Sequence, residues 1–244
     1  MFVHYRTLGL VLKKKDRGEN DQLFTFYTKD FGKLEILGKA IRKISSKLHF
    51  GADIFYLSEI EFIQGKANKT LTDAVLIDKL KNLRNDLKRL AIAYKISETL
   101  DELVEGQEKD EKIWHLVLET FDKLDSFFLS SDNYFLVYYF FLWNLFSILG
   151  YTPEVYRCSV CQKRIAPGRL SFSASEGGVI CNLCSRGNKK SKMVSDEFIK
   201  ILRIILKGDW ATLKKIKFDE TQKKILKEIS AYYLSFIGQD EDEK

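Results

Sequence analysis

The chain has 244 residues, 45% hydrophobic and 30% charged, with only 2 prolines and 14 glycines. That length and apolar content suffice for one large or two small folded domains, and the scarcity of Pro and Gly argues against a long disordered linker. A net charge of +6 is modest for a binder of polyanions, so its distribution matters more than its sum.

The charge is segregated in blocks. Between residues 36 and 52, Lys39, Arg42, Lys43 and Lys47 occur without one carboxylate, whereas 98–125 holds ten acids against Lys109, Lys112 and Lys123. From 186 to 227 thirteen Lys or Arg face five acids, and 240–243 is acidic again. Such segregation favours a polyanionic partner over a uniformly solvated surface. The first residues lack the basic and then apolar regions of a secretory signal. The aromatic run 134–149 is short for a membrane span and is broken by Asn144 and Ser147, so it reads as a buried helix. Both features point to the cytoplasm.

In chain order, the first seventy-odd residues read as strands: 7–13 with Leu8, Leu10 and Leu12 on one face, then 22–28, 33–37, 54–64 and 69–72. Lys29-Asp30-Phe31-Gly32 is a hairpin connection whose Gly supplies a left-handed position. Five short strands in this span suit a small closed barrel, the OB-fold being the commonest choice and an SH3-like barrel the competitor. From Asp73 the period becomes helical, with Leu76, Leu80, Leu83, Leu87, Leu90 and Tyr94 in step and Asp73 as N-cap. Further helices are expected over 112–128, 132–149, 196–207 and 220–236. Ser195 is placed to cap the third of these, Asp219 with Gln222 forms a capping box for the fourth, and Gly208 suits the position after Lys207.

All four cysteines fall in two pairs, Cys158-Ser-Val-Cys161 and Cys181-Asn-Leu-Cys184, nineteen residues apart. This spacing reads as a tetrahedral structural zinc site: each two-residue gap aims two thiolates at one ion, and a hairpin through Gly177-Gly178 brings the pairs together. Two disulfides would need an oxidising compartment. A thioredoxin-like redox pair needs one such motif, not two, and iron–sulfur spacings differ. Four thiolates leave no open coordination position, which argues against metal-assisted hydrolysis. There is no phosphate-binding G-x-x-x-x-G-K-[ST] loop and no H-E-x-x-H, and His4, His49 and His115 are scattered. The chain reads as a non-enzyme.

The stretch 9–21, Phe31-Gly32-Lys33-Leu34, Gly38-Lys39-Ala40-Ile41-Arg42-Lys43 and Leu149-Gly150-Tyr151-Thr152-Pro153 leading into Cys158-x-x-Cys161 resemble, in order, blocks of the RecO family. The resemblance spans nearly the whole chain. It implies an OB-fold at 1–73, a helical domain at 74–156 and 187–238, a zinc-binding insert at 157–186 and an acidic tail at 239–244. It further implies binding of single- and double-stranded DNA, strand annealing, and work with RecR and single-stranded-DNA-binding protein to load RecA, in the cytoplasm at the nucleoid. The basic loop 40–47 departs from the denser arginine and the proline of many relatives.

A mediator must hold a strand by its phosphates and leave base edges free, which lysine and arginine on a barrel surface can do. The expected DNA contacts are Lys13, Lys14, Lys15 and Arg17 at the end of the first strand and Lys39, Arg42, Lys43 and Lys47 in the loop after the third. Phe31, in a turn, is the expected exposed stacking ring. Lys214, Lys215 and Lys217 are expected to add DNA contact or to receive the acidic tail of single-stranded-DNA-binding protein. Two rival readings share these features, an RNA-binding OB and zinc-ribbon protein and a non-catalytic interaction scaffold.

Overall fold

The computed structural model describes residues 3–66, 68–126 and 133–242, with side chains through residue 238. The expected helical residues 127–128 and 132, and the last two residues of the expected acidic tail, lie outside them. The chain divides into two compact units, residues 1–134 and 135–244.

The first unit opens with β1 (His4–Arg17), β2 (Asp21–Thr28), β3 (Gly32–Gly38), β4 (Leu57–Gln64) and β5 (Lys69–Asp78). They close in the order β1-β2-β3-β5-β4, with β3 and β5 parallel and the other pairs antiparallel, so no sheet edge is left open. This is the five-stranded OB arrangement expected from the sequence. Val11, Phe24, Phe26, Leu34, Ile36, Ile60, Phe62 and Leu71 fill the interior. Gly32 makes the β2–β3 turn at φ 58°, and a Cβ there would lie 2.3 Å from the Glu108 carbonyl oxygen, so no larger residue fits.

A bulge between Val11 and Lys13 lets β1 bury both faces: Val11 enters the barrel while Leu10 and Leu12 are buried on the other side. Three helices follow in the same unit, α1 (Lys81–Arg84), α2 (Leu87–Leu103) and α3 (Glu111–Asp125). The barrel's outer residues pack on them, with Tyr27 stacked on Trp114 at 6.5 Å and Phe55 against Phe121 at 5.5 Å.

Two expectations are corrected here. The fifth strand runs to Asp78, six residues beyond the expected end, and Asp73 sits within it opposite Glu61 rather than capping a helix. The N-cap of the long helix is Asp86, whose carboxylate accepts from the N–H groups of Lys88 and Arg89. The leucine period was therefore out of phase: Leu87 is 84% exposed, and α2 buries Ala93, Ile96, Leu100 and Leu103 instead.

The second unit is organised on α4 (Tyr134–Ile148), whose apolar side chains are almost all buried. Among the described residues no helix is long and apolar enough to cross a membrane. Then come β6 (Leu170–Ser173), β7 (Gly178–Cys181), α5 (Asn182–Ser185), β8 (Lys192–Val194), α6 (Asp196–Leu206), α7 (Trp210–Leu213) and α8 (Glu220–Asp242). Trp143 of α4 stacks on Tyr233 of α8 at 5.4 Å and donates its indole N–H to Ser230 Oγ at 3.0 Å. Phe172 of β6 meets both rings edge-on, tying the small sheet β7-β6-β8 to the helical core. The expected caps are present. Ser195 accepts from the Phe198 N–H, Asp219 and Gln222 exchange reciprocal bonds, and Gly208 ends α6 at φ 68°.

Candidate nucleic-acid interface and metal centre

The β1–β2 ribbon runs on beyond the part of β1 that pairs with β4, with Lys14 opposite Phe24, Asp16 opposite Gln22 and Arg17 opposite Asp21. The loop 39–47 is fastened to its tip. The Ala40 N–H donates to Asp21 Oδ1 at 2.7 Å, the Arg42 N–H to the Asn20 carbonyl at 3.0 Å, and the Arg42 guanidinium reaches Asp16 at 3.2 Å. Ala40 holds φ 51°, a costly conformation for a residue with a Cβ, and the Asp21 bond helps to fix it. Lys39, Arg42, Lys43 and Lys47 are all exposed. The structure thus fastens this loop to the ribbon's tip from both sides, by Arg42 to Asp16 on the Lys14–Asp16 face and by Ala40 to Asp21, the residue paired with Arg17. Strand alternation puts Lys15 and Arg17, also exposed, on the opposite face.

Lys13 and Lys14 are differently employed. Lys13 Nζ lies 2.6 Å from Asp101 of α2, a carboxylate shared with Lys33 at 3.1 Å. Lys14 pairs with Asp53, which Arg84 also holds at 2.7 Å. Burial alone would raise both carboxyls, but the hydrogen bonds from these cations outweigh it and hold Asp101 and Asp53 below the usual range. Their stabilisation is complete above the ordinary aspartate value, roughly pH 4, and is lost as pH falls through the lowered folded value. Asp101→Asn should accordingly flatten the acid limb of the unfolding profile below about pH 4. A limb of unchanged steepness would show that the Lys13–Asp101–Lys33 cluster contributes nothing.

The expectation of an exposed ring at Phe31 is corrected. Phe31 is half-buried, edge-on to Tyr5 at 5.7 Å and to Phe62 at 5.6 Å, and packs against the barrel interior. The exposed aromatic beside the basic loop is Phe50, 68% accessible in the 3₁₀ turn Leu48–Phe50, with its ring centroid 3.9 Å from that of His49. Ile44, at the loop's middle, is fully exposed. Only their position, Ile44 within the loop and Phe50 just after it, could have flagged them, since hydrophobic residues in sequence read as core.

In the second unit, β6 and β7 form the expected hairpin through Gly177 and Gly178, at φ 67° and 154°. It sets Cys181 at the end of β7 and Cys184 in α5, facing the knuckle Cys158–Cys161. The third strand, β8, was not foreseen. All four Sγ atoms lie within 4.8 Å of one another, with Cys161 and Cys181 at 3.9 Å. A Zn–S bond of about 2.3 Å in a tetrahedron requires S–S edges of about 3.8 Å, so the set fits one ion of that kind. The sulfur environments fit it too. Burial would raise the Cys158 thiol, but backbone N–H groups of Cys161, Cys181 and Val160 point at it and bring it down to about 6. Cys184, bonded by the Cys181 thiol and crowded by its neighbours, is pushed up to about 12. Four sulfurs this close cannot all ionise unless a cation joins them.

Lys214, Lys215 and Lys217 are exposed on the link from α7 to α8.

Comparison with known proteins covers nearly the whole chain. Residues 1–80 match the family model for the N-terminal part of Recombination protein O, and 84–237 match that for its C-terminal part. The DNA repair protein RecO of Desulfitobacterium hafniense (strain DSM 10664 / DCB-2) is 29% identical over 233 residues, 94% of this chain and 83% of the relative. The protein of that name from Dehalococcoides mccartyi (strain ATCC BAA-2100) is 28% identical over 225 residues, 92% of this chain and 86% of its own. A third, from Caldanaerobacter subterraneus subsp. tengcongensis, is 28% identical over 212 residues, 86% and 83% of the two chains. With both halves of the family pattern falling on a barrel followed by helices and a four-cysteine cluster, the chain belongs to the RecO family.

Proposed function

We propose that the protein is a non-catalytic recombination mediator of DNA repair, gripping single- and double-stranded DNA by the phosphate backbone. The observation that carries this reading is the carboxylate-free loop 39–47, fastened to the β1–β2 ribbon with its cations turned outward. Lys39, Arg42, Lys43 and Lys47 form the principal grip. Lys15 and Arg17 extend it on the other face of the ribbon, while Lys13 and Lys14 frame it through their carboxylate partners. Phosphate contact leaves base edges unread and free to pair, which is what annealing of complementary strands requires. The barrel, through the end of β5 at Asp78, is the DNA-binding domain, and the helical parts, after β5 to 156 and 187–238, are its scaffold. Cys158, Cys161, Cys181 and Cys184 hold one structural Zn²⁺ in the insert 157–186, and a closed four-sulfur set supplies folding stability rather than catalysis.

The mediator acts with RecR and single-stranded-DNA-binding protein to load RecA, with Lys214, Lys215 and Lys217 receiving that protein's acidic tail. Its place is the cytoplasm, at the nucleoid. The test is fluorescence annealing of complementary oligonucleotides, with and without single-stranded-DNA-binding protein, over a salt series and with RNA as competitor. Annealing that weakens with salt and resists RNA supports the reading. Preferential RNA binding transfers the protein to the RNA-binding class, and salt-insensitive behaviour makes it a scaffold.

The Arg42–Asp16 pair is exposed on both sides, 44% and 57%, and such pairs contribute at most about 1 kcal/mol. A phosphate can displace Asp16. Asp16→Asn is expected to tighten DNA binding by up to about fivefold. Unchanged affinity would take Arg42 out of the contact.

A further inference from the structure

We propose that the four-cysteine module is itself a second contact for nucleic-acid backbone, through Arg157, Lys163 and Arg164 at the first knuckle and Arg186, Lys189 and Lys190 after the second. The inference rests on the DNA-binding reading and extends it to a surface that reading leaves as scaffold. Residues 157–194 contain eight Lys or Arg and a single carboxylate, Glu176. All eight cations are exposed, and among the described residues none has a carboxylate within ion-pair distance. Of the bordering acids, Glu154 lies in electrostatic reach of Arg157 alone, and neither it nor Asp196 forms an ion pair with the module. Glu154 spends its carboxylate on the N–H groups of Tyr156 and Arg157, and Asp196 faces the Gly168 N–H. A divalent ion on four thiolates would add two negative charges and still leave the module strongly positive.

The arrangement is also unfavourable in isolation. Arg157 and Arg164 oppose one another across an antiparallel β-bridge, where like charges repel, and neither has a carboxylate within ion-pair distance among the described residues. An external anion set between the two guanidinium groups would relieve that repulsion. The charges are distributed over two knuckles and the turn after α5 rather than gathered in a pocket, which matches an extended row of phosphates better than one acidic peptide anchor. Apolar side chains are interleaved with them. Val160 and Leu183, each in the gap of a knuckle, are 50% and 69% exposed, and Met193 is 74% exposed. Phosphate-binding cations beside exposed apolar tips are the combination by which proteins hold a backbone and rest against unstacked bases.

The experiment uses the full-length protein and a fluorescein-labelled oligothymidylate, with anisotropy read over a salt series. The triple variant Arg186→Ala, Lys189→Ala, Lys190→Ala should reduce the magnitude of the log–log salt slope by about 2, at about 0.7 per lost single-strand contact. Lys163→Ala with Arg164→Ala should reduce it by about 1.4. Leu183→Ser should weaken binding without changing the slope, because it removes no charge. Unaltered metal content and melting temperature establish that the variants are folded. If both sets keep the parent slope while Arg42→Ala with Lys43→Ala lowers it, this inference is overturned and the barrel reading stands. If the parent protein shows no salt-dependent binding, the DNA reading itself fails. If instead the sets lose binding to a poly-glutamate peptide with the DNA slope unmoved, the surface belongs to an acidic protein and the inference is likewise overturned.

Discussion

Chelation of the proposed zinc should unfold the four-cysteine module and lower the melting temperature by roughly 6–10 °C, the shift expected of about 3–5 kcal/mol in a chain of this size. The size follows from how the module is built. Its hairpin is short, four residues in each of β6 and β7, and the segment from Cys158 to Pro167 has no regular secondary structure. Besides the sulfur cluster, the knuckles are joined by a few backbone bonds, among them the Ser159 N–H to the Val179 carbonyl at 2.9 Å and the Glu154–Gly178 bridge. Yet Phe172, Val179 and Ile180 of that hairpin are fully buried, and Phe172 touches Trp143 and Tyr233. Loss of the ion therefore loosens the aromatic core of the second unit as well. Cys158→Ser, at the buried member of the set, should reproduce most of the effect. Cys161→Ser, at the exposed member, should reproduce less. Elemental analysis should find one zinc per chain. A metal-free protein with an unchanged melting temperature would reduce the cluster to four neighbouring thiols.

The second large effect is expected at the barrel. Replacing Lys39, Arg42 and Lys43 together with alanine should lower the magnitude of the salt slope for single-stranded DNA by about 2, and for duplex by nearly 3. Binding should fall about equally across sequences, since backbone contacts carry no base information. These side chains are exposed, and the loop's attachment runs through the backbone N–H groups of Ala40 and Arg42, which alanine retains. Folding should be unaffected apart from the surface pair with Asp16. An unmoved slope, or a loss confined to one sequence, would assign the loop another task.

The parts legible in the sequence were those encoded locally. Paired cysteines two residues apart, a glycine where the turn needs positive φ, and Ser195, Asp219 and Gln222 at helix starts each act within a few residues of themselves. What escaped was set by distant partners. Lys13 meets Asp101 across 88 positions and Lys14 meets Asp53 across 39, and no spacing rule announces such pairs. A run of four basic residues thus divided into two that hold carboxylates and two that remain free to reach an anion. Likewise Phe31 reads as exposed because it lies in a turn, but Tyr5 and Phe62 supply a packing site from β1 and β4. The leucines from Leu76 to Leu90 kept a helical interval by coincidence across a strand end, a short helix and a cap, and only pairing with β4 shows that β5 continues to Asp78.

Amine-reactive labelling read by mass spectrometry, with and without saturating oligothymidylate, would locate the strand on the barrel directly. The account predicts strong protection of Lys39, Lys43 and Lys47, with Lys33, half-buried against Asp101, labelled alike in both states. Equal labelling of the three loop lysines in the presence of bound DNA would contradict it.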